Sequence, residues 1–377
     1  MTEILLIRHT QAEGNLYRMM QGHWDGDVTE HGWVQIDALA QRLREVKIDA
    51  VYSSDLYRAR MTAGAVTKYH PLTLNIDVRL RELDMGPWEA GFFGDIIHNQ
   101  PQEAELFLEH PGQWCIDGAE TYEQVQSRAY AALCDIAREN DGRRVAVVSH
   151  GVTIRCLLAK LTGTPLDAVE QLPIVFNTAI STIEYTDGRF TVKELNDCAH
   201  LDALNKPLWR KVSALRDEPI DPIAEKDFYC AAYRDAWRTA HGSLLGYDEG
   251  MYLRHAVLHH TYNANAVLKI FDGDEPVGIV DMDTRRGEVE GIGWISLIWL
   301  REDYRGQGYG IQLLGRAIKL YKSLGRQELG LCVARDNVSA VRFYESCGFT
   351  LRSVEHGESG ELLMMARKLG GKHHDGN

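Results

Sequence analysis

The 377-residue sequence predicts two successive α/β domains, the first layered around a largely parallel sheet and the second built from hairpins. Three observations support this prediction. The chain is longer than one hydrophobic core usually spans. Strand and helix patterns alternate up to about residue 195, which is typical of a parallel sheet covered by helices. Hairpin patterns with glycine turns dominate afterwards. We place the domains at 1–200 and 201–370, followed by a disordered polar tail at 371–377.

The elements of the first domain follow from hydrophobic periodicity and from local start and stop signals. Thr29 predicts a helix cap, Gly163 a helix end, and Asp187-Gly188 a hairpin turn. In chain order the segments are the strand "EILLIRHT", the helix "TEHGWVQIDALAQRLREV", the strand "IDAVYSSD", the helix "LYRARMTAGAVTKY", the extended "TLNIDVRLRELD", helices near 95–110 and 120–139, the strand "RRVAVVSHG", the helix "VTIRCLLAKLTG" and the hairpin "TAISTIEYTDGRFTVKELN".

The second domain is expected to begin with a break that is rich in proline and acidic residues, "DEPIDPIAEKD". Turns at Asp272-Gly273 and near Arg286-Gly287 predict two hairpins. In order, the segments are the helix "FYCAAYRDAWRTAH", the hairpin pair "NAVLKIFDGDEPVGIVDMDTRRGEVEGIGWISLIWL", a glycine-rich loop, the helix "IQLLGRAIKLYKSLG", the strand "ELGLCVA", a short helix and a closing hairpin.

Composition and charge narrow the classes of partner. The net charge of −13 opposes nonspecific binding to nucleic acid or to an anionic membrane. No apolar run approaches the roughly 18 residues of a membrane span, and we find no signal peptide. The seven cysteines are scattered without a CxxC pair, which favours reduced thiols in the cytoplasm over a disulfide framework or a zinc site. We therefore expect a cytoplasmic protein with no nucleic-acid or membrane partner; a homodimer is left open.

Basic side chains stand where two apolar strand patterns end. Arg8 and His9 follow "EILLI", and His150 follows "VAVVS". Loops at the carboxyl ends of parallel strands form a crevice, so these side chains are candidates for one site. One histidine could attack phosphorus while the other orients the phosphate. Arg58 is a further candidate for a bidentate phosphate contact, and Glu82 for the acid that protonates a leaving oxygen.

Four separated blocks resemble the histidine phosphatase superfamily, which has a phosphoglycerate mutase-like three-layer fold. They are "RHT", "SSDLYRARMTA", "LRELDMGPWE" and "VVSHG", in the family's order over roughly residues 1–195. The resemblance implies that His9 is the nucleophile that becomes phosphorylated. It further implies that the phosphate pocket is lined by Arg8, Arg58 and His150. Glu82 would be the proton donor, and Asn15 would make one more substrate contact.

Three alternatives remain open for this half. Glu89 could replace Glu82 as the proton donor. The blocks lack the long insertions by which mutases hold a bisphosphate intermediate, so hydrolysis is favoured over mutase chemistry. Ala12 stands where the family often has a hydroxyl residue, which leaves room for a domain that only binds its ligand.

A glycine-rich loop, "YRGQGYGIQLL", separates a strand pattern from an apolar helix pattern in the second half. Such a loop exposes backbone N–H groups beside the positive end of a helix, and an anion such as pyrophosphate is what these groups bind. A Walker loop is excluded because no Lys-Ser/Thr follows, and the preceding hairpins fit a dinucleotide fingerprint poorly.

The loop, together with "DNVSAVRFYESCGF" further on, resembles the GNAT acetyltransferase family over roughly residues 205–370. The resemblance implies a mixed, mostly antiparallel sheet, acetyl-CoA as co-substrate and no metal. It implies Tyr344 as the proton donor to the departing thiolate. It also implies that acetyl-CoA contacts the strand residues Ile298 and Leu300, the loop residues Arg305, Gly306, Gly308, Gly310 and Ile311, and Asn337.

The sequence leaves open which residues of this domain bind and deprotonate the amine that accepts the acetyl group. Glu288 and Glu290 are candidates for the base that deprotonates an amine, or they are solvated charges. Tyr229, Tyr233 and Trp237 share a helix face that forms either core or a substrate wall.

Together the two halves predict a bifunctional enzyme. One half would hydrolyse a small phosphorylated metabolite, and the other would transfer an acetyl group to a small amine. The rival hypotheses are a phosphoglycerate mutase-type phosphoryl transfer, and a protein in which one domain is catalytically silent and senses its ligand.

Overall fold

The computed structural model describes residues 1–201, 212–357 and 360–370. The chain divides into two compact units, Met1–Pro207 and Leu208–Asn377, each of which is described by itself below. Residues 202–211, which follow the expected domain boundary at 200, lie outside the described residues, as does the expected tail at 371–377. Within the described part of the chain, every helix is too short or too polar to span a bilayer.

Six strands form the sheet of the first unit. They are β1 (Thr2–Arg8), β2 (Ala50–Ser53), β3 (Leu74–Ile76), β4 (Arg144–Ser149), β5 (Ile180–Thr186) and β6 (Arg189–Asp197). Their order is β3-β2-β4-β1-β5-β6, in which β3, β2, β4 and β1 pair in parallel and the hairpin β5-β6 adds antiparallel strands. This confirms the predicted, mostly parallel sheet.

Seven α-helices and several short 3₁₀ turns accompany this sheet in the first unit. The helices are α1 (Glu13–Tyr17), α2 (Glu30–Leu43), α3 (Tyr57–Thr67), α4 (Phe93–Asn99), α5 (Pro101–Glu109), α6 (Tyr122–Glu139) and α7 (Gly151–Thr162) within the described residues 1–201. The 3₁₀ turns are Val78–Leu80, Gly86–Trp88, Leu166–Gln171 and Ala199–Leu201.

Alternation along the central strands creates the three layers. Leu5 and Ile7 of β1 pack with α2 and α3, whereas Ile4 and Leu6 pack with α6 and α7. Successive side chains of a strand point to opposite faces, so a strand that is apolar at every position must be covered on both sides.

Two predictions for this unit were wrong in detail. The segment expected to be extended contains only the three residues of β3, followed by the 3₁₀ turn Val78–Leu80. The single helix expected near 95–110 is two helices, because Pro101 begins α5 and disfavours helical backbone at Gln100 before it.

The second unit contains a seven-stranded sheet. Its strands are β7 (Arg216–Pro219), β8 (Val267–Asp272), β9 (Glu275–Asp283), β10 (Ile292–Leu300), β11 (Glu328–Ala334), β12 (Thr350–Gly357) and β13 (Gly360–Lys368). The order is β12-β13-β11-β10-β9-β8-β7, and β10-β11 is its one parallel pair in the described residues. The predicted mixed, mostly antiparallel sheet is confirmed.

Four helices accompany this sheet in the described residues: α8 (Lys226–His241), α9 (Glu249–Tyr262), α10 (Gly310–Ser323) and α11 (Val338–Ser346). The interpretation of "DEPIDPIAEKD" as only a break was wrong, because its first residues belong to β7. Pro219 is tolerated there because β7 is an edge strand and Pro219 is its last residue. α9 was not predicted at all.

Candidate active sites

The carboxyl ends of three neighbouring strands bring the predicted phosphate residues together. Arg8 at the end of β1 pairs in register with Ser149 at the end of β4, so His9 and His150 leave adjacent strands at the same level. Their ring centroids are 5.1 Å apart. Sheet order therefore places side chains that are distant in sequence at one edge.

Hydrogen bonding sets the tautomer of His9. Its Nδ1 lies 2.6 Å from the carbonyl oxygen of Thr10, which can only accept, so Nδ1 carries the proton. The other ring nitrogen, Nε2, then keeps its lone pair. A buried imidazole in this state can act as a nucleophile.

Burial and positive charge keep both histidines neutral. Burial, followed by the charges of Arg58 and Arg8, holds the pKa of His9 well below its usual value, against the hydrogen bond to Thr10. Burial and Arg58 lower the pKa of His150 in the same way. At neutral pH the site therefore contains two neutral imidazoles beside two guanidinium groups.

Two buried nitrogens at this site have no hydrogen-bond partner among the residues that the structure describes. They are Nδ1 of His150 and Nε of Arg58, and both side chains are fully buried. Nε2 of His150 is 2.8 Å from Oγ of Ser54, whose hydroxyl can donate to it and leave Nδ1 protonated. Buried polar groups are nearly always satisfied, so these two donors indicate a place for an anion.

The loop between α1 and α2 holds Arg58 in place. Its guanidinium donates to the carbonyl oxygens of Gln21, Gly22 and Trp24 at 3.3, 2.7 and 3.1 Å, and it lies 3.5 Å from Oδ1 of Asp25. Burial lowers the pKa of Arg58 to about 10, so it stays charged. The loop thus fixes the direction of a cation inside the protein.

Arg8 is positioned by its neighbours as well. It donates to the carbonyl oxygen of Val175. A Cβ on Gly151 would lie 3.3 Å from the Arg8 guanidinium carbon, so the glycine after His150 lets the backbone of α7 lie against this side chain.

Glu82 and Glu89 have different surroundings. The Glu82 carboxylate accepts the amides of Val152 and Thr153, at 3.1 and 3.0 Å, and so caps the first turn of α7 directly behind His150. Glu89 accepts the amides of His23 and Trp24, at 2.6 and 2.7 Å, and supports the loop that holds Arg58. Glu82 thus binds the first turn of the helix that begins after His150, whereas Glu89 stabilises the loop.

Asn15 faces the backbone of the site. Its Oδ1 accepts the Ala12 amide at 3.1 Å and lies 3.3 Å from Nδ2 of Asn177. Asn177 also donates to the His9 carbonyl oxygen at 2.9 Å. Sequence analysis missed Asn177 and Ser54, because neither stands in a charged or periodic pattern, although Ser54 lies inside the quoted "SSDLYRARMTA".

We expect Arg58→Ala to slow phosphatase turnover tenfold or more and to weaken inhibition by vanadate. The lost interaction is a charge-assisted hydrogen bond, worth about 1.5–3 kcal/mol. Steady-state rates and the vanadate inhibition constant measure the effect. Arg60→Ala is the matched control, since Arg60 lies exposed on the same helix. Equal kinetics for the two variants would place Arg58 outside the site.

In the second unit, β10 and β11 separate after a short paired stretch. Their parallel register runs only from Ile292↔Glu328 to Ile295↔Leu331, and a bulge interrupts the β9-β10 register between Ile295 and Leu297. Beyond this point Ile298 and Leu300 still pair with β9, but in the described part of the chain no strand pairs with β10 on the side of β11. The split opens a cavity of about 590 Å³, in which Ile298 is a lining residue.

The glycine-rich loop lies between β10 and α10. Gly306 and Gly308 have φ values of +71° and +95°, which an L-residue rarely adopts, and α10 begins at Gly310. Gly310 has a packing reason for lacking a side chain, since a Cβ there would lie 3.2 Å from the ring of Phe343. The amides from Arg305 to Ile311 thus lie at the N-terminal end of a 14-residue helix.

The side chain of Arg305 makes hydrogen bonds to other residues of the protein. It donates to Oδ2 of Asp235 on α8 and to the Leu300 carbonyl oxygen at 2.7 Å. Trp299 donates to the same oxygen of Asp235 at 2.8 Å. Arg305 therefore secures the end of β10, and the cofactor contact predicted for it concerns its backbone amide.

Asn337 and Tyr344 both line the cavity. Asn337 caps α11, with its Oδ1 3.3 Å from the Ala340 amide. Tyr344 packs against Phe343 and Phe349, with ring centroids 5.2 and 5.5 Å away, and burial raises the pKa of its phenol. A protonated hydroxyl at the cavity wall suits a proton donor.

A network that sequence analysis missed borders the same cavity. His259 of α9 lies between two carboxylates of β9, with Nδ1 2.7 Å from Asp281 and Nε2 3.4 Å from Asp283. Tyr229 donates its hydroxyl to the other oxygen of Asp281 at 2.6 Å. The period-two spacing of Asp281 and Asp283 in a strand was a usable signal, but their partner on α9 was not predictable without that helix.

Within the described residues, no group of three or more His, Cys, Asp or Glu side chains could hold a metal ion.

Comparison with known proteins assigns a family to each unit. A family model described as the histidine phosphatase superfamily (branch 1) matches residues 4–198, and one described as the acetyltransferase (GNAT) family matches residues 226–349. "Probable phosphoglycerate mutase GpmB" from Salmonella choleraesuis is 30% identical over 208 residues, which are 54% of this chain and 96% of that protein. The structure of YhfR from Bacillus stearothermophilus is 32% identical with a TM-score of 0.53, covering 54% of this chain and 100% of that one.

Proposed function

This chain belongs to the histidine phosphatase superfamily through residues 4–198 and carries a GNAT-family acetyltransferase domain at 226–349, and from that premise we propose that it is a bifunctional enzyme. The first unit hydrolyses a small phosphomonoester through a phosphohistidine. The second transfers the acetyl group of acetyl-CoA to a small amine. The seven free thiols support a cytoplasmic location for both reactions.

The observation that carries the first activity is the neutral His9 beside two unsatisfied buried donors. Nε2 of His9 attacks phosphorus, and the P–O bond to the leaving group breaks as its oxygen takes a proton from Glu82. Arg8, Arg58 and Nδ1 of His150 hold the phosphoryl oxygens throughout. Water then attacks the phosphohistidine, returns a proton to Glu82 and releases phosphate.

Mutase chemistry is the second candidate, because the relative from Salmonella choleraesuis is named a probable phosphoglycerate mutase. It would use the same phosphohistidine but pass the phosphoryl group to a hydroxyl in place of water. The predicted lack of long insertions between the four blocks favours hydrolysis. Interconversion of 3- and 2-phosphoglycerate would reveal the mutase.

The second activity rests on the cavity at the β10-β11 split and the glycine loop beside it. The unpaired edge of β10 offers a backbone ladder to an amide-containing chain. The amides from Arg305 to Ile311, at the start of α10, suit a pyrophosphate, so the residues present fit acetyl-CoA. When bound, it supplies an acetyl thioester. With acetyl-CoA bound, the deprotonated amine would attack the thioester carbon, the C–N bond would form and the C–S bond would break. Tyr344 would give its proton to the sulfur and regain one from water, while the acceptor ammonium would lose one proton to water before attack and one after.

Two turnover assays on the full chain test the proposal. We expect phosphate release from p-nitrophenyl phosphate and, independently, CoA release from acetyl-CoA with members of a panel of primary amines. Turnover in one assay with ligand binding alone in the other would instead support the sensor hypothesis. Absence of both turnover and binding in either unit would refute that half of the proposal.

A further inference from the structure

We propose that the cavity of the second unit contains an ammonium subsite, in which Asp283 binds the charged amino group of the acceptor and an aromatic wall takes its apolar body. The inference rests on the proposed acetyl transfer and names the acceptor class. That class is a primary amine on an apolar or aromatic carbon skeleton.

The carboxylates of Asp281 and Asp283 differ in how fully their oxygens are hydrogen-bonded. Asp281 is 1% exposed, and its two oxygens are hydrogen-bonded to Nδ1 of His259 and to the hydroxyl of Tyr229. Asp283 is more accessible, with 24% of its side chain exposed. Its Oδ1 accepts the amides of Arg285 and Arg286 at 3.0 Å, whereas the one contact of its Oδ2 among the described residues is with His259 at 3.4 Å. Oδ2 of Asp283 can therefore take a further donor.

Charge balance favours a cation at this point. Both ring nitrogens of His259 face carboxylates, which requires the doubly protonated ring. Burial opposes that charge, but hydrogen bonds to Asp281 and Asp283 raise the pKa of His259 to about 9. Burial likewise opposes the ionisation of Asp283, yet the His259 hydrogen bond and two backbone amides lower its pKa to about 2. Two carboxylates and one imidazolium leave one negative charge uncompensated.

The other charged side chains near the cavity do not neutralise this excess negative charge. Arg285 lies 3.3 Å from Glu288, its ion-pair partner, and Arg286 lies over the ring of Trp294 at 3.4 Å. Both arginines are exposed on the loop after β9, and both also line the cavity. Glu288 balances the charge of Arg285, and Glu355 of β12, another lining residue, balances that of Arg286, so the excess negative charge at Asp281, Asp283 and His259 remains. A cationic acceptor would thus meet a complementary site.

Aromatic rings from α8 and α9 form the wall beside these carboxylates. Tyr233 and Tyr252 stack at 4.2 Å, and Trp237 lies 5.7 Å from Tyr252. All three line the cavity, together with Tyr229, whose hydroxyl binds Asp281. Aromatic faces bind both apolar groups and ammonium ions, so the wall fits an amine better than an acidic or strongly hydrated acceptor.

Matched amines and alcohols test the charge requirement on the unmodified full chain. The probes are butylamine, cyclohexylmethylamine and 2-phenylethylamine, each with its alcohol isostere, at saturating acetyl-CoA. We expect acetylation of at least one amine and at least tenfold weaker binding of its alcohol, measured as KM or inhibition constant. Equal binding of amines and alcohols, or no binding of any amine, would overturn the subsite.

Asp283→Asn tests the residue assignment, because it keeps the size of the side chain and removes its charge. We expect at least a tenfold higher KM for the amine, while acetyl-CoA affinity changes less than twofold. Asp274→Asn is the matched control on an exposed turn of the same unit, 96% exposed, and should leave both constants unchanged. An unchanged KM in Asp283→Asn would refute the assignment.

A titration with acetyl-CoA distinguishes failure of the proposed acetyl transfer from failure of the ammonium subsite alone. If titration shows no acetyl-CoA binding by the unmodified chain, the proposed acetyl transfer falls and the subsite with it. If acetyl-CoA binds and only hydroxyl compounds are acetylated, the subsite alone is wrong. Should Asp283→Asn lose acetyl-CoA binding through misfolding, the comparison of amines with alcohols decides.

Discussion

His9→Ala is expected to abolish phosphatase activity, with a loss of roughly 1,000-fold or more, and to remove the phosphoenzyme. The reason is that His9 alone has an Nε2 lone pair fixed by a hydrogen bond from Nδ1 to the next carbonyl. No other group at the site can form the phosphorus–nitrogen bond in its place, since Nε2 of His150 is bound to Ser54. Acid-quenched and alkali-quenched samples should show an acid-labile, alkali-stable phosphoryl group only in the unmodified chain.

The control for this variant is His98→Ala, which removes an exposed histidine of α4. It should hydrolyse p-nitrophenyl phosphate at the normal rate. The His9→Ala protein should still bind acetyl-CoA normally, because the second unit has its own sheet and core. Full hydrolysis by His9→Ala would refute the nucleophile assignment.

Gly308→Val is expected to abolish acetyl-CoA binding. Gly308 has a φ of +95°, where a β-branched residue is strongly disfavoured, so the loop must change conformation. The backbone amides that we propose for the pyrophosphate would then no longer converge at the start of α10. Isothermal titration with acetyl-CoA measures the loss, and phosphatase turnover by the same sample should stay normal.

Gly273→Val is the matched control, because Gly273 has a φ of +60° in the β8-β9 turn with open space around it. It imposes comparable backbone strain away from the loop and should bind acetyl-CoA. Tyr344→Phe should also bind acetyl-CoA but transfer its acetyl group more slowly, since only the hydroxyl is lost. Normal binding by Gly308→Val would mean that the loop is only a tight turn, and the acetyl-CoA assignment would fall.

The sequence by itself determined the local features of both units. The apolar strand that ends in Arg8 and His9 is such a feature, because period and boundary are properties of neighbouring residues. The Asp187-Gly188 turn is another, with φ values of +51° and +78°. The four blocks in order were sufficient to predict the family, and the alternation of strand and helix patterns was sufficient to predict the parallel sheet.

Tertiary structure alone decided which further side chains contact these predicted residues. Ser54 reaches His150 across 96 positions, and Glu82 reaches Thr153 across 71. Pairs of this kind depend on the order of strands in the sheet, which spacing along the chain does not contain. The His259–Asp281–Asp283 network depended further on α9, whose apolar residues do not gather on one face and so gave little periodic signal. Local periodicity thus positions a residue on its own element, whereas the charge state and partners of a buried residue follow from the elements that pack against it.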